Sequence, residues 1–154
     1  MIAYLDASAL VKRYVNERGS TQVAKLLRNA EAVGTAVISL AEVGAALGKA
    51  ARLGVLDEGA ADKALGRLRQ EWPDLIRLPV TELLADRAVD LAWRLGLRGY
   101  DAVQLAAAQG WQEALGKAVS MVTFDRQLWQ AAPQAGMEAF PTRFSDLQAA
   151  KDMR

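Results

Sequence analysis

The sequence predicts an α/β domain of three layers, α/β/α, with a central parallel sheet of four to five strands. Three observations carry this reading. Short apolar or β-branched runs alternate with longer segments of helical periodicity, in the order β-α-α-β-α-α-β-α-α-β-α-β; strands separated by helices pair in parallel and are covered on both faces. The chain has 154 residues, 52% of them hydrophobic, which suits one domain with a substantial core. It carries 30 alanines, mostly in the helical segments, where small side chains let helices lie close to a sheet. The domain is expected over 1–144, with a polar tail over 145–154.

The run from Ile2 to Leu5 ends at Asp6 and reads as a buried strand. Ser8 is a candidate cap for a helix over 8–18, which Gly19 stops, and Val23, Ala24, Leu26 and Leu27 mark a second helix over 21–29. The β-branched stretch 32–39 is the second strand. Helix resumes over 40–53, breaks at Gly54, and restarts at Asp57 as an N-cap, running to about 70. Trp72-Pro73 closes that element. Residues 75–80 form a third strand, and Pro79 puts it at an edge. Thr81 caps a helix to 95 with Leu84, Ala88, Leu91 and Leu95 on one stripe; Gly96 and Gly99 frame a loop. Asp101 opens a helix through 108, and Gly110 weakens it. Residues 118–124 are the fourth strand, 126–131 a helical turn, and 136–140 a small fifth strand.

Composition excludes several kinds of chemistry. With no Cys there is no disulfide scaffold, thiolate nucleophile or zinc–thiolate site, and with no His there is no imidazole base, metal ligand or triad. Reactivity must come from carboxylates, hydroxyls, amides, Lys and Arg. The matching cofactor is a hard cation with oxygen ligands, Mg²⁺ or Mn²⁺. Nineteen basic against 18 acidic residues give a formal charge of +1, so nucleic-acid binding would need segregated charge. The opening residues do not resemble a signal peptide and no run of 18 uncharged apolar residues occurs. No membrane association and a cytoplasmic location are therefore expected.

Four acids fall where an open parallel sheet binds ligands, outside the carboxyl ends of its strands. Asp6 follows strand one, Glu42 lies one turn into the helix after strand two, Asp101 starts the helix feeding strand four, and Asp125 follows strand four. If strands one and four are neighbours, the four carboxylates share one rim. Like charges at that range are costly without a cation. A divalent ion reverses the cost, and helix N-termini at Ser8 and Asp101 would favour an anionic phosphodiester. Each acid also has a purely structural alternative. Asp6 can face a helix dipole, Glu42 can close a capping box with Ser39, Asp101 can be an N-cap, and Asp125 can make an Asx-turn. Ser8 and Thr123 flank the first and fourth acids, either as orienting hydroxyls or as an N-cap and an ordinary strand residue. Lys12, Arg13, Lys49, Arg98 and Arg126 would give the acidic centre a basic border suited to a phosphate backbone. Trp93, Trp111, Trp129 and Tyr4 read as core or interface, and Tyr100 borders the rim.

Four stretches resemble the motifs of the PIN-domain family, and more narrowly its VapC-type toxins. They are Tyr4-Leu5-Asp6-Ala7-Ser8, Ser39-Leu40-Ala41-Glu42-Val43, Tyr100-Asp101-Ala102-Val103-Gln104-Leu105-Ala106 and Val122-Thr123-Phe124-Asp125-Arg126. The resemblance implies a Mg²⁺-dependent endoribonuclease, with Mn²⁺ able to substitute, that hydrolyses RNA phosphodiester bonds. Asp6 and Asp101 would be principal metal residues, Glu42 and Asp125 would complete the pocket, and Ser8 and Thr123 would support it. It also implies a homodimer and a small antitoxin protein that wraps the surface over 47–68. The family often has His where this chain has Gln104, which is expected to face away from the acids without catalytic loss. The alternatives are a free-standing PIN-domain RNA-processing nuclease and a non-catalytic RNA-binding or signalling module. A haloacid-dehalogenase phosphatase would need a second Asp where Ser8 stands, and a dinucleotide-binding domain would need a GxGxxG after strand one, which is absent.

Overall fold

A computed structural model describes residues 1–143 and 145. Apart from its first residue, the tail expected at 145–154 lies outside the described residues. Five strands, β1 (Ile2–Leu5), β2 (Ala32–Ala36), β3 (Ile76–Leu78), β4 (Val119–Val122) and β5 (Glu138–Phe140), form one sheet in the order β3-β2-β1-β4-β5. Every pairing is parallel, with Ile2 opposite Ala32 on one side and Val119 on the other. The helices are α1 (Ala7–Leu10), α2 (Ser20–Asn29), α3 (Ile38–Arg52), α4 (Glu58–Glu71), α5 (Glu82–Leu95), α6 (Gly99–Leu115) and α7 (Arg126–Gln134), with 3-10 turns at Val11–Arg13 and Trp72–Asp74. The expected three-layer α/β/α class is the observed one. Among the described residues no helix is long and apolar enough to cross a membrane.

Strand alternation divides the core in two. Ile2 and Tyr4 of β1, with Val119 and Met121 of β4, pack under α5, α6 and α7. Ala3, Leu5 and Val122 point the other way, against α1, α2, α3 and α4. Gly34 of β2 is required by close approach: a Cβ there would stand 2.7 Å from Cζ3 of the buried Trp111 on α6. Because β1 is paired with both β2 and β4, the chain reverses its winding direction between β1 and β4. That is the switch point where open α/β sheets place their ligands.

Several sequence boundaries move. The helix expected over 8–18 is one turn of α1 followed by the 3-10 turn, and its cap is Asp6 rather than Ser8. β2 stops at Ala36, so Ser39 lies inside α3. The β-branched character of Val37 and Ile38 misleads here because tertiary packing overrides a weak propensity. Gly99 is not a loop residue but the first residue of α6, which passes through Gly110 to Leu115. A glycine inside a helix costs only about 1 kcal/mol, which the buried stripe from Ala102 to Trp111 outweighs. β4 ends at Val122, leaving Thr123 and Phe124 in the turn before α7. Asp57 and Thr81 cap α4 and α5 as the sequence indicates, and β3 is an edge strand.

Candidate active site

Asp6 is the most enclosed of the four acids, 4% exposed where β1 gives way to α1. One carboxylate oxygen accepts the Ala9 amide at 2.9 Å, a standard N3 capping bond. Ser8 Oγ donates to the carboxylate at 2.7 and 2.9 Å, and Thr123 Oγ1 donates at 2.7 Å from across the β1–β4 junction. Each hydroxyl also accepts from the turn after β4, Ser8 from the Phe124 amide at 2.8 Å and Thr123 from the Asp125 amide at 3.1 Å. Burial outweighs these donors and pushes the Asp6 carboxyl up to about 6; the charge of Asp125 pushes the same way.

Glu42 projects from the second turn of α3 and is half-buried. It makes no capping box, because Ser39 is inside the helix and Val37, at the cap position, offers no side-chain bond. Its Oε2 instead accepts from Nε2 of Gln104 on α6. Desolvation raises its pKa, the Gln104 bond lowers it, and the charge of Asp101 raises it again.

Asp101 sits in the first turn of α6, where Arg98 rather than Asp101 holds the cap position. Asp125 is the N-cap of α7 and accepts from the Leu128 amide at 3.0 Å through Oδ1. The Arg98 guanidinium joins these two acids, reaching Asp101 Oδ2 at 2.8 Å and Asp125 Oδ2 at 2.9 Å. Burial raises the Asp101 pKa first, Arg98 opposes it, and Asp125 adds to it.

The acids thus form a coupled chain of negative charge at the carboxyl end of the sheet, Asp6 to Asp125 to Asp101 to Glu42. Asp6 and Asp125 do serve as helix caps, and each retains a second oxygen bonded to its neighbours. Among the described residues no three acids close into a group able to hold a metal ion. Each acid is engaged by its own neighbours: Asp6 by hydroxyls, Glu42 by an amide and the other two by a guanidinium. The donor set nevertheless fits a hard divalent ion. It is all oxygen, three of the four carboxyls resist ionisation, and Arg98 already supplies positive charge between two of them.

The expected basic border is placed unevenly. Lys12 lies 2.8 Å from Glu17 and over the Phe124 ring, next to the turn that carries Asp125. Arg13 pairs with Glu71 at 3.1 Å, Arg98 is committed to the acids, and Lys49 and Arg126 are exposed. Trp111 is buried as expected, whereas Trp93 is 89% exposed.

Gln104 corrects the sequence reading most clearly. It does not face away but is 2% exposed and bonded to Glu42, Ser39 and Tyr4. The signal was there in outline. Gln104 is the single polar residue between Ala102 and Ala108, and it follows Asp101 by three on the same helical face.

Comparison with known proteins identifies relatives of the whole domain. The sequence model of the PIN domain matches residues 3–133. Ribonuclease VapC45 of Mycobacterium tuberculosis is 32% identical over 143 residues, covering 92% of this chain and 96% of the relative. Among solved structures, PAE2754 from Pyrobaculum aerophilum is similar with a TM-score of 0.63 at 26% identity, covering 97% of this chain and 90% of its own. A toxin–antitoxin complex from Klebsiella pneumoniae shares the fold with a TM-score of 0.65 at 18% identity, covering 92% and 98%.

Proposed function

Because this chain belongs to the PIN-domain family, within its VapC-type ribonucleases, we propose that it is a divalent-metal-dependent endoribonuclease and the toxin of a cytoplasmic toxin–antitoxin pair. The observation that carries the proposal is that Asp6, Glu42, Asp101 and Asp125 all lie at the carboxyl end of the sheet beside its switch point, with Arg98 bridging two of them.

In this reading Asp6 and Asp101 hold Mg²⁺ or Mn²⁺, with Glu42 and Asp125 completing the pocket. When bound, the ion supplies positive charge at a phosphodiester oxygen and makes water easier to deprotonate. The chain's own groups do the rest. Ser8 and Thr123 keep the Asp6 carboxylate an acceptor. Glu42, with its raised pKa, takes the proton from the attacking water. Arg98 balances Asp101 and Asp125 before RNA arrives. Lys12, Arg13, Lys49, Arg98 and Arg126 contact the RNA backbone.

An antitoxin protein covers the surface over 47–68, where Leu53 and Val55 are 67% and 79% exposed at the turn between α3 and α4. The Klebsiella pneumoniae complex favours this over a free-standing processing nuclease. A homodimer forms through α5. Val89 and Trp93 stand exposed beside a groove of Ala85, Ala88, Ala92 and Gly99. Glu82, Asp86 and Asp90 stack at i,i+4 with Arg94 following, and among the described residues none of the four has an ion-pair partner. A second copy packed antiparallel sets the acidic half of α5 against Arg94 of its neighbour.

The test is cleavage of end-labelled RNAs with Mn²⁺ or Mg²⁺ against EDTA, with Asp101→Asn as control. Metal-dependent cutting that the variant loses is the expected result. Cutting that survives in a folded Asp101→Asn protein would overturn the site.

A further inference from the structure

The hydrogen-bond chain behind Glu42 fixes the orientation of the Gln104 amide. Thr35 Oγ1 lies 2.7 Å from the Leu5 carbonyl, which can only accept, so the single Thr35 proton goes there. Ser39 Oγ lies 2.7 Å from Thr35 Oγ1 in the same chain. Ser39 Oγ accepts from Gln104 Nε2 at 2.9 Å. At the other end, the Tyr4 hydroxyl accepts the Ala36 amide at 3.1 Å and donates to Gln104 Oε1 at 2.6 Å. Flipping the Gln104 amide would take away the acceptor of the Tyr4 proton and set the amide oxygen against the Glu42 carboxylate. Its second N–H proton is consequently aimed at Glu42 Oε2.

We infer that Gln104 is a positioning residue for Glu42, fixing which carboxylate oxygen is engaged and leaving Oε1 for the metal or the attacking water. The inference rests on the nuclease reading for Glu42's role. It goes beyond that reading by assigning a function to a side chain outside the acidic set. The chain runs through β1, β2, α3 and α6, so Gln104 also sets the separation between Glu42 and Asp101, which precedes it by one turn on α6. Every member is buried and satisfied, which is the condition under which a polar network specifies a geometry.

The test compares Gln104→Met, which keeps shape but loses all three bonds, with Tyr4→Phe, which weakens the same chain from its far end but leaves both amide protons in place. Mn²⁺ affinity is measured by calorimetry at a temperature where each variant is fully folded, and RNA cleavage is measured alongside. Gln104→Met is expected to lose about 10–100-fold in Mn²⁺ affinity or in kcat with little change in KM, the range for a partner that orients a metal ligand. Tyr4→Phe is expected to lose less than about tenfold in either, whatever it loses in Tm. Wild-type affinity and kcat in Gln104→Met overturn the inference. Equal losses in the two variants overturn it too, because the chain would then be only structural. If the wild type binds Mn²⁺ but cuts no RNA, the nuclease reading fails while the affinity comparison still decides the role of Gln104. A wild type that binds no Mn²⁺ overturns both.

Discussion

Asp6 makes the metal-free protein sensitive to pH in an unusual direction. Its carboxyl is raised from the usual 3.8 to about 6, chiefly by burial. A folded-state value above the unfolded one means that the native chain holds the proton more tightly. The associated stability is complete below the unfolded value and is lost as pH rises through about 6. The whole shift is worth about 3 kcal/mol. Between pH 7.5 and pH 5 the gain on acidification is about half of that, or about 3–6 °C in Tm for a chain of this size. Glu42 and Asp101 are shifted in the same direction and add to it. The lowered carboxyls of Glu31 and Glu113 oppose it little, being exposed ion pairs. The assay is urea or thermal unfolding in EDTA at pH 5, 6 and 7.5, for wild type and Asp6→Asn. Stability should rise toward pH 5 in the wild type and rise much less in the variant. A flat or falling wild-type profile, or an identical slope in Asp6→Asn, would refute the reasoning.

Two further predictions concern packing and assembly. Gly34→Ala places a methyl 2.7 Å from the buried Trp111 ring and should cost about 1–3 kcal/mol, whereas Gly44→Ala, with nothing within 4 Å on α3, should gain up to about 1 kcal/mol; Tm values for the pair decide the matter. For the α5 interface, Trp93→Asp should convert a dimer to a monomer in analytical ultracentrifugation. Arg94→Glu should weaken the dimer and Asp90→Arg combined with Arg94→Glu should restore part of it; a wild type that sediments as a monomer at high concentration counts against this face.

How far the site could be read from sequence differs residue by residue. The acids were legible because each follows a strand or begins a helix, and in a parallel βαβ order those positions all lie at one end of the sheet. Ser8 and Thr123 were legible as neighbours of acids, though not as paired donors to a single carboxylate. Ser39 lies inside α3 although the sequence reads as strand there, because a β-branched run cannot by itself say where a strand yields to a helix. The approach of Gln104 to Glu42 is not legible, because helical periodicity reports which residues share a face and not which element that face meets.

The sequence by itself determined the layers, the all-oxygen chemistry and the rim on which the acids lie, since local periodicity and chain order are enough for these. Only the tertiary structure decided that Asp6 is held by two hydroxyls, that Arg98 spans Asp101 and Asp125, and that Gln104 reaches Glu42. These contacts join residues as many as 117 positions apart, and their strength comes from exclusion of water, which no local pattern encodes.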